Sequence, residues 1–489
     1  MPSQLIERAI KQANAWVEAS MAYPNSRAAT LLADVLHHEG GLDYTVSFVD
    51  GVIRPEDPKV ASHNLKKLAT RDVSFLPTWL SAPAKIGGSI APGAPKLAAA
   101  AAQKVFSALV GDLVVDATPD KLGDAIAALR EDGSRLNINL LGEAVMGDRE
   151  ADRRMAATRE LIERPDVDYV SLKVSAVIGP HAPYGHRAAV DNAVEKLLPM
   201  YRLAAATGTF INLDMEEYKD LELTIDVFKA LLDRDEFLTY RAGIVLQAYL
   251  PDARGRLADL TEWSQERRER GGAPIKVRLV KGANLSMELV DAIVHGWELT
   301  VEPSKEATDA NYMTVLSDAL VPERLDSVNI GVAGMNLYTL SYALTLMEER
   351  GIGMDGRVDV EMLAGMATPQ SRAVRDSIGP LLYYVPVVRP TEYDVAVAYL
   401  VRRLEENAAP ANFMSNVFDL DKDSVRGHEA ANFRAAAELM ESGDLHFGPN
   451  RMQDRHTPAT IAAGFDDAPD TDPSLMANIV WAQEIAGRM

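Results

Sequence analysis

The sequence predicts an α/β protein built on a (β/α)8 TIM-like barrel, with a helical N-terminal arm and a C-terminal tail. From about residue 135, short β-branched apolar runs alternate with longer amphipathic segments, which is typical of a parallel sheet covered by helices. Eight such runs occur, and a barrel of this class has eight strands. The predicted strands are Arg135–Ala144, Tyr169–Val177, Thr209–Asp214, Gly243–Tyr249, Ile275–Val280, Val328–Ala333, Arg357–Met362 and Leu382–Val388.

The chain divides into three regions by its pattern. Residues 1–110 have a helical pattern and predict an N-terminal arm or cap, residues 111–440 contain the barrel, and residues 441–489 form a tail. A length of 489 residues allows up to about three domains of ordinary size. One large barrel with additions at both ends also accounts for that length.

Composition excludes several classes of protein. With 50 Lys and Arg against 71 Asp and Glu, the net charge is −21, so nucleic acid is not expected as a partner. The absence of cysteine excludes disulfides, thiolate metal sites and a cysteine nucleophile. No signal peptide and no apolar stretch of about 18 residues is found, so we expect a cytoplasmic protein.

Seven of the eight predicted strands finish in or near a large polar or ionisable side chain, and the sixth has one just beyond it. These side chains are Glu143, Lys173, Asp214, Gln247, Arg278 with Lys281, Asn336, Glu361 and Tyr384. Catalytic groups of such barrels lie at the carboxyl ends of the strands, and buried polar groups are costly unless they are paired or bind a ligand. These residues therefore predict an active site at the barrel mouth; salt bridges at the rim are the alternative.

The helix after the eighth strand contains a second candidate site. Tyr399, Arg402 or Arg403, and Glu406 are spaced to share one helix face. Guanidinium groups bind carboxylates through two parallel hydrogen bonds, which favours a small carboxylic acid as the ligand. A solvated basic patch paired with Glu405 and Glu406 fits the spacing equally well.

Motifs for other chemistries are missing from the sequence. There is no Walker A loop, no HExxH motif and no GxGxxG after a strand. The nine histidines are scattered, and no metal site is predicted. In the segment NLDMEE we expect Asp214 to point inward, with Glu216 and Glu217 solvated.

Between about residues 135 and 415 the chain resembles the proline dehydrogenase module of the bifunctional proline utilisation A family. The segments LLGEAVMGDREAD, YVSLKVSAV, INLDMEEYKDLELTIDVF, IVLQAYLPDA, KVRLVKGA and AYLVRRLEENA look like its successive barrel motifs. The resemblance implies a non-covalently bound FAD. It also implies oxidation of L-proline to Δ1-pyrroline-5-carboxylate by hydride transfer from C5 to flavin N5, with a membrane quinone as electron acceptor.

The resemblance also implies roles for individual residues. Arg402 and Arg403 would bind the proline carboxylate, assisted by Lys173. Tyr384 and Tyr399 would pack around the proline ring, and Glu143 would pair with Arg402 as a gate. Lys173, Asp214, Arg278 and Tyr384 are the implied catalytic residues. The implied FAD-binding residues are Gln247, Arg278, Val280, Lys281, Gly282, Ala283, Lys305, Asn336 and Glu406.

The sequence departs from the family pattern at Asn284, Met335 and Ala364. The tail resembles the lead-in to an aldehyde dehydrogenase module, which we expect to be absent from this chain because there is no catalytic cysteine. A quinone acceptor would favour peripheral contact with the inner face of the membrane. Two alternatives remain: a Schiff-base aldolase or lyase that uses Lys173, and a barrel scaffold that binds a partner protein.

Overall fold

The fold was obtained as a computed structural model of the chain. The structure describes residues 2–25, 29–30, 33–35, 38–55, 57–72, 94–97, 102, 113–142, 144–389, 392, 395–397, 399–401, 403, 409, 412–457 and 469–488.

A closed parallel barrel of eight strands forms the centre of the described chain. The described strands are β1 (Val115–Asp116), which lies outside the barrel, and the eight barrel strands β2 (Arg135–Leu140), β3 (Tyr169–Lys173), β4 (Phe210–Asp214), β5 (Ala242–Gln247), β6 (Ile275–Val280), β7 (Val328–Ala333), β8 (Val358–Leu363) and β9 (Leu382–Val388). Strands β2 to β9 pair in sequence order, and β9 pairs with both β8 and β2, which closes the barrel. The predicted fold class is confirmed, and each of the eight predicted runs overlaps one barrel strand. The two-residue strand β1, which pairs with β9, was not predicted.

Helices surround the barrel and follow most of its strands. They are α1 (Pro2–Ser20), α2 (Gly41–Phe48), α3 (Pro58–Leu68), α4 (Pro119–Leu129), α5 (Asp148–Ile162), α6 (His186–Thr207), α7 (Leu221–Leu232), α8 (Ala253–Glu269), α9 (Leu285–His295), α10 (Lys305–Ala319), α11 (Pro322–Leu325), α12 (Leu337–Glu349), α13 (Thr368–Ile378), α14 (Phe413–Asn416), α15 (Asp423–Ser442) and α16 (Met476–Arg488). Residues 395–397, 399–401 and 403 are helical as well.

The alternation of side chains along the strands separates an apolar shell from a polar interior. Leu136, Ile138, Val277 and Leu279 are 0–1% exposed and belong to the main apolar core. The intervening residues, such as Arg278, hydrogen-bond to residues of non-adjacent strands, so they face the barrel interior. This places the charged groups of the strands together at the barrel axis.

The N-terminal helix packs on the outside of the barrel. The Ser341 hydroxyl donates a 2.7 Å hydrogen bond to the backbone oxygen of Ala9, and the Tyr338 hydroxyl donates to Asn14 at 2.9 Å. Helix α1 therefore covers α12. The domain boundaries at residues 110 and 440 remain predictions.

The tail is joined to the segment that follows α9. The Arg451 guanidinium donates to the backbone oxygen of Glu298 at 2.8 Å and pairs with Asp472 at 3.2 Å. Its centre also lies 4.8 Å from the ring centroid of Trp297. Among the described residues, no helix is both long enough and apolar enough to span a membrane.

Candidate active site

Asp214 is the centre of the hydrogen-bond network at the end of β4. Its Oδ1 accepts from Ser171 at 2.9 Å, from Asn212 at 3.0 Å and from Arg278 at 2.8 Å. Its Oδ2 accepts a 2.9 Å hydrogen bond from the Tyr384 hydroxyl. Four groups from strands β3, β4, β6 and β9 thus hold one carboxylate at the barrel axis and fix its orientation.

Arg278 on β6 is held between two carboxylates. Its Nε donates to Glu361 at 2.7 Å and its Nη1 to Asp214 at 2.8 Å, with Ser171 at 3.4 Å from Nη2. The residue is 4% exposed. Burial alone disfavours the charged guanidinium, but Glu361 and Asp214 outweigh that effect and hold the pKa of Arg278 well above its ordinary value.

Tyr384, which belongs to this network, and the pair of Tyr399 and Arg403 supply aromatic rings to the candidate site. The Arg278 guanidinium lies 5.1 Å from the centroid of the Tyr384 ring. Burial, followed by the negative charge of Asp214, raises the pKa of Tyr384 far above the usual value, so its hydroxyl remains a donor. The Arg403 guanidinium lies 5.4 Å from the ring of Tyr399, which is 7% exposed. These two members of the predicted carboxylate site therefore contact each other.

Lys173 at the end of β3 is paired with a residue expected to be solvated. Its Nζ donates a 2.7 Å hydrogen bond to Oε1 of Glu216, while the Ser175 hydroxyl bonds to Oε2. The Lys173 and Glu216 side chains are only 18% and 16% exposed. The expectation that Glu216 is solvated is wrong, because the chain turns after β4 and places its carboxylate over the end of β3.

A second charged cluster follows β6 and begins α10. Lys281 Nζ lies 2.6 Å from Asp309 Oδ1, and Lys305 Nζ lies 2.8 Å from Asp309 Oδ2. Burial lowers the pKa of Lys281 to about 8, although Asp309 opposes the shift. Burial alone raises the pKa of Asp309, but the two ammonium groups outweigh it and lower that pKa. Lys281 and Lys305 thus place two ammonium groups beside the first turn of α10, which also contains the exposed Glu306, and a helix N-terminus can bind a phosphate.

The remaining predicted cofactor residues lie near this cluster or cap a helix. Gln247 donates from Nε2 to the backbone oxygen of Glu216 at 3.0 Å, while its buried Oε1 accepts no hydrogen bond from the described residues. The Asn336 side chain accepts from the Tyr338 amide at 2.9 Å and caps α12. The amides of Ala248 and Tyr249 bond to the backbone oxygens of Val280 and Lys281.

Gly282 lies where an ordinary residue does not fit. Its φ is +126°, and an added Cβ would lie 2.5 Å from the ring of Tyr249. Ala283, the next residue, is exposed. Because only glycine accepts this φ without strain, the segment that follows β6 requires glycine at position 282.

Three predicted site residues, Glu143, Arg402 and Glu406, lie outside the described residues. The roles implied for them remain predictions, as do the ligand contacts implied for the others.

Several members of the network were not among the predicted site residues. They are Ser171, Asn212, Glu216, Lys276 and Asp309, whereas Glu361 was singled out at its strand end without a role. Lys276 stands two residues before Arg278, and residues two apart on a strand share a face, so strand alternation could have found it. Asp309 had no comparable signal, because its contact with Lys281 joins a helix to a strand end.

Comparisons with known proteins show which family the chain belongs to. The family model described as proline dehydrogenase matches residues 122–416. The proline dehydrogenase of Deinococcus radiodurans is 27% identical over 325 residues, which cover 65% of this chain and 93% of that protein. The bifunctional protein PutA of Escherichia coli is 29% identical over 342 residues, which cover 64% of this chain and 24% of that protein. This chain therefore spans about a quarter of the length of the PutA relatives it matches.

Solved structures show the same relationship. Proline utilization A from Corynebacterium freiburgense is 39% identical with a TM-score of 0.68, covering 84% of this chain and 39% of that one. The protein of the same name from Bdellovibrio bacteriovorus superposes with a TM-score of 0.79 over 99% of this chain and 48% of that one, and at 23% identity it shows the shared fold. The family model spans more than half of the sequence, and the chain belongs to the proline dehydrogenase family of enzymes.

Proposed function

We propose that this protein oxidises L-proline to Δ1-pyrroline-5-carboxylate, using non-covalently bound FAD and a quinone as the final electron acceptor. The observation that supports this most directly is the network of Asp214, Arg278 and Tyr384 at the carboxyl ends of the strands. It combines a fixed cation, a fixed carboxylate and an aromatic ring within one hydrogen-bonded group. Membership of the proline dehydrogenase family supports the same substrate.

In this proposal, the cations around the barrel mouth bind the substrate carboxylate. Lys173 provides an ammonium group at the end of β3, and Arg403 provides a guanidinium against the Tyr399 ring. Arg402 belongs to the same proposal by its position in the sequence. Guanidinium groups fix a carboxylate in one orientation, and this removes rotational freedom of the substrate before the reaction. Tyr384 and Tyr399 would pack around the apolar ring.

The chain's own groups fit a flavin dinucleotide. Lys281 and Lys305 place two ammonium groups at the N-terminus of α10, where the pyrophosphate of FAD could bind. The unused Oε1 of Gln247 is a buried acceptor that a ligand N–H could satisfy. The chemistry that bound FAD supplies is acceptance of a hydride from C5 of proline and delivery of two electrons to a quinone. Arg278 supplies a fixed positive charge, which favours an anionic reduced cofactor.

The proposed reaction implies two partners, a membrane that holds the quinone and an enzyme that consumes the product. Quinones reside in membranes, so peripheral contact with the membrane surface belongs to the proposed function. Δ1-Pyrroline-5-carboxylate hydrolyses to an aldehyde, and an aldehyde dehydrogenase module or partner would consume it.

Anaerobic titration of the purified protein tests the function. We expect a yellow protein whose visible absorbance is bleached by L-proline and restored by a soluble quinone. The Arg402→Met variant should keep its colour but need at least tenfold more proline for half-maximal rate. A protein that cannot be loaded with FAD would contradict the flavin assignment, and borohydride trapping of a substrate on Lys173 would favour the aldolase alternative.

A further inference from the structure

A second buried ion pair lies beneath the mouth of the barrel. Lys276 stands two residues before Arg278 on β6, and its Nζ lies 2.7 Å from Asp359 Oδ2 and 2.6 Å from Glu361 Oε1. Lys276 is 4% exposed and Glu361 is 3% exposed. The interior of such barrels is ordinarily filled by branched aliphatic side chains, so charged groups at this depth require an explanation.

Glu361 joins this pair to Arg278. Its Oε2 accepts from Arg278 Nε at 2.7 Å while its Oε1 faces Lys276. Lys276, Glu361, Arg278 and Asp214 therefore form an unbroken line of alternating charges from the interior to the mouth. Gly331 on β7 makes room for this arrangement, since an added Cβ there would lie 2.1 Å from Glu361 Oε1 and 3.0 Å from Lys276 Cε.

Stability alone does not account for the line of charges. Burying an ion pair costs desolvation energy that its attraction often fails to exceed, and well-packed apolar residues can do as well. The pair does, however, restrict Arg278. With Nε bound to Glu361, the plane of the guanidinium is fixed and its two Nη groups are directed towards Asp214 and Ser171.

We propose that Lys276 and Glu361 are positioning residues, which fix the orientation of Arg278 and set how much of its positive charge acts at the barrel mouth. The inference rests on the proposed function, because the group that would sense this charge is the flavin. Glu361 cancels part of the charge of Arg278, and Lys276 in turn cancels part of that of Glu361. Neither residue is assigned a contact with the substrate.

The test compares the parent, Glu361→Gln, Lys276→Met and the double variant, each loaded with FAD. The readout is the midpoint potential of the bound flavin, measured against a redox dye. Glu361→Gln should raise the potential, with at least a tenfold change in the reduction equilibrium, or about 30 mV for a two-electron couple. Lys276→Met should lower the potential. The reduction equilibrium of the flavin in the double variant should lie within threefold of that in the parent. A loss of fold alone would not shift the potential in opposite directions.

The matched control is Glu236→Gln, which removes a carboxylate paired with Arg202 at 2.7 Å on the outer surface and should leave the potential unchanged. A Glu361→Gln protein that binds FAD with the parent's potential would overturn the positioning role. Urea unfolding provides a readout that needs no flavin. The effect of Lys276→Met on the free energy of unfolding should depend on whether Glu361 is present. Additive effects would overturn the buried pairing, whereas failure of the parent to bind FAD would contradict the proposed function instead.

Discussion

The Tyr384 hydroxyl donates a 2.9 Å hydrogen bond to Oδ2 of Asp214, and the opposite oxygen of that carboxylate accepts from Arg278 at 2.8 Å. The tyrosine ring is therefore fixed across the barrel mouth by a residue on another strand. The contribution of this hydrogen bond can be tested by removing the tyrosine hydroxyl.

The Tyr384→Phe substitution should lower kcat/KM for proline about tenfold, since a hydrogen bond to a charged group contributes about 1.5 to 3 kcal/mol. Steady-state kinetics and FAD content would be measured together. The adjacent Tyr383→Phe is the control, because its hydroxyl contacts Ser371 at 3.4 Å on the other face of the strand. Equal losses in the two variants would contradict a specific role for Tyr384.

The pairing of Lys173 with Glu216 predicts an effect on substrate affinity. In the proposed function, a substrate carboxylate that binds Lys173 would share or displace the 2.7 Å contact between Lys173 Nζ and Glu216 Oε1. Glu216→Gln removes the competing charge, so the half-saturating proline concentration should fall about threefold to tenfold. Glu217→Gln removes the neighbouring carboxylate, which pairs with Lys219, and should change nothing. A higher half-saturating concentration in Glu216→Gln would show that Glu216 holds Lys173 in place rather than competing for it.

FAD affinity should depend on the charge of Lys281, whose pKa is lowered to about 8 by burial. The lysine is protonated below that pH and loses its charge above it, so the dissociation constant of FAD should rise by up to about tenfold between pH 7 and 9.5. Flavin fluorescence titrations would measure it. The Lys281→Met variant should bind FAD more weakly with a flatter pH profile, and Lys196→Met on the surface should behave as the parent. A flat profile in the parent would contradict the prediction.

The buried carboxyl of Glu302, on the segment before α10, predicts a change in stability with pH. Burial raises the pKa of Glu302 to about 7, from 4.5 in the unfolded chain. At pH 8 the side chain is ionised at a folding cost, whereas below about pH 4 it is protonated in both states. Glu302→Gln should therefore increase the free energy of unfolding by about 1 to 2 kcal/mol at pH 8 and hardly at pH 4. Urea titrations would measure the difference, with the exposed Glu298→Gln as control. Equal effects at both pH values would rule out a charge-based explanation.

Gly331 provides a test of packing inside the barrel. A Cβ at this position would lie 2.1 Å from Glu361 Oε1, so Gly331→Ala must displace the Glu361 carboxylate from Lys276. Such overpacking costs about 1 to 3 kcal/mol, and thermal unfolding would detect it. At Gly334 an added Cβ meets nothing within 4 Å, so Gly334→Ala should unfold nearly as the parent does. Similar losses at both positions would contradict the steric argument.

Local pattern was sufficient to predict much of this protein. Each barrel strand is an apolar, β-branched run, and strand periodicity depends on neighbouring residues only. The order of the runs along the chain implied parallel pairing, and closure of the barrel followed from their number. The strand ends also identified Lys173, Asp214, Arg278 and Tyr384 as residues that lie at one edge of the barrel.

The sequence by itself determined the barrel, the polar residues at its mouth and the family resemblance. Only the tertiary structure decided which charges meet: Glu216 with Lys173, Asp309 with Lys281, and Glu361 with both Lys276 and Arg278. Local periodicity shows which face a side chain occupies. Its partner across a closed barrel depends on strand register, on loop paths and on the space left by residues such as Gly331, none of which is a local property of the chain.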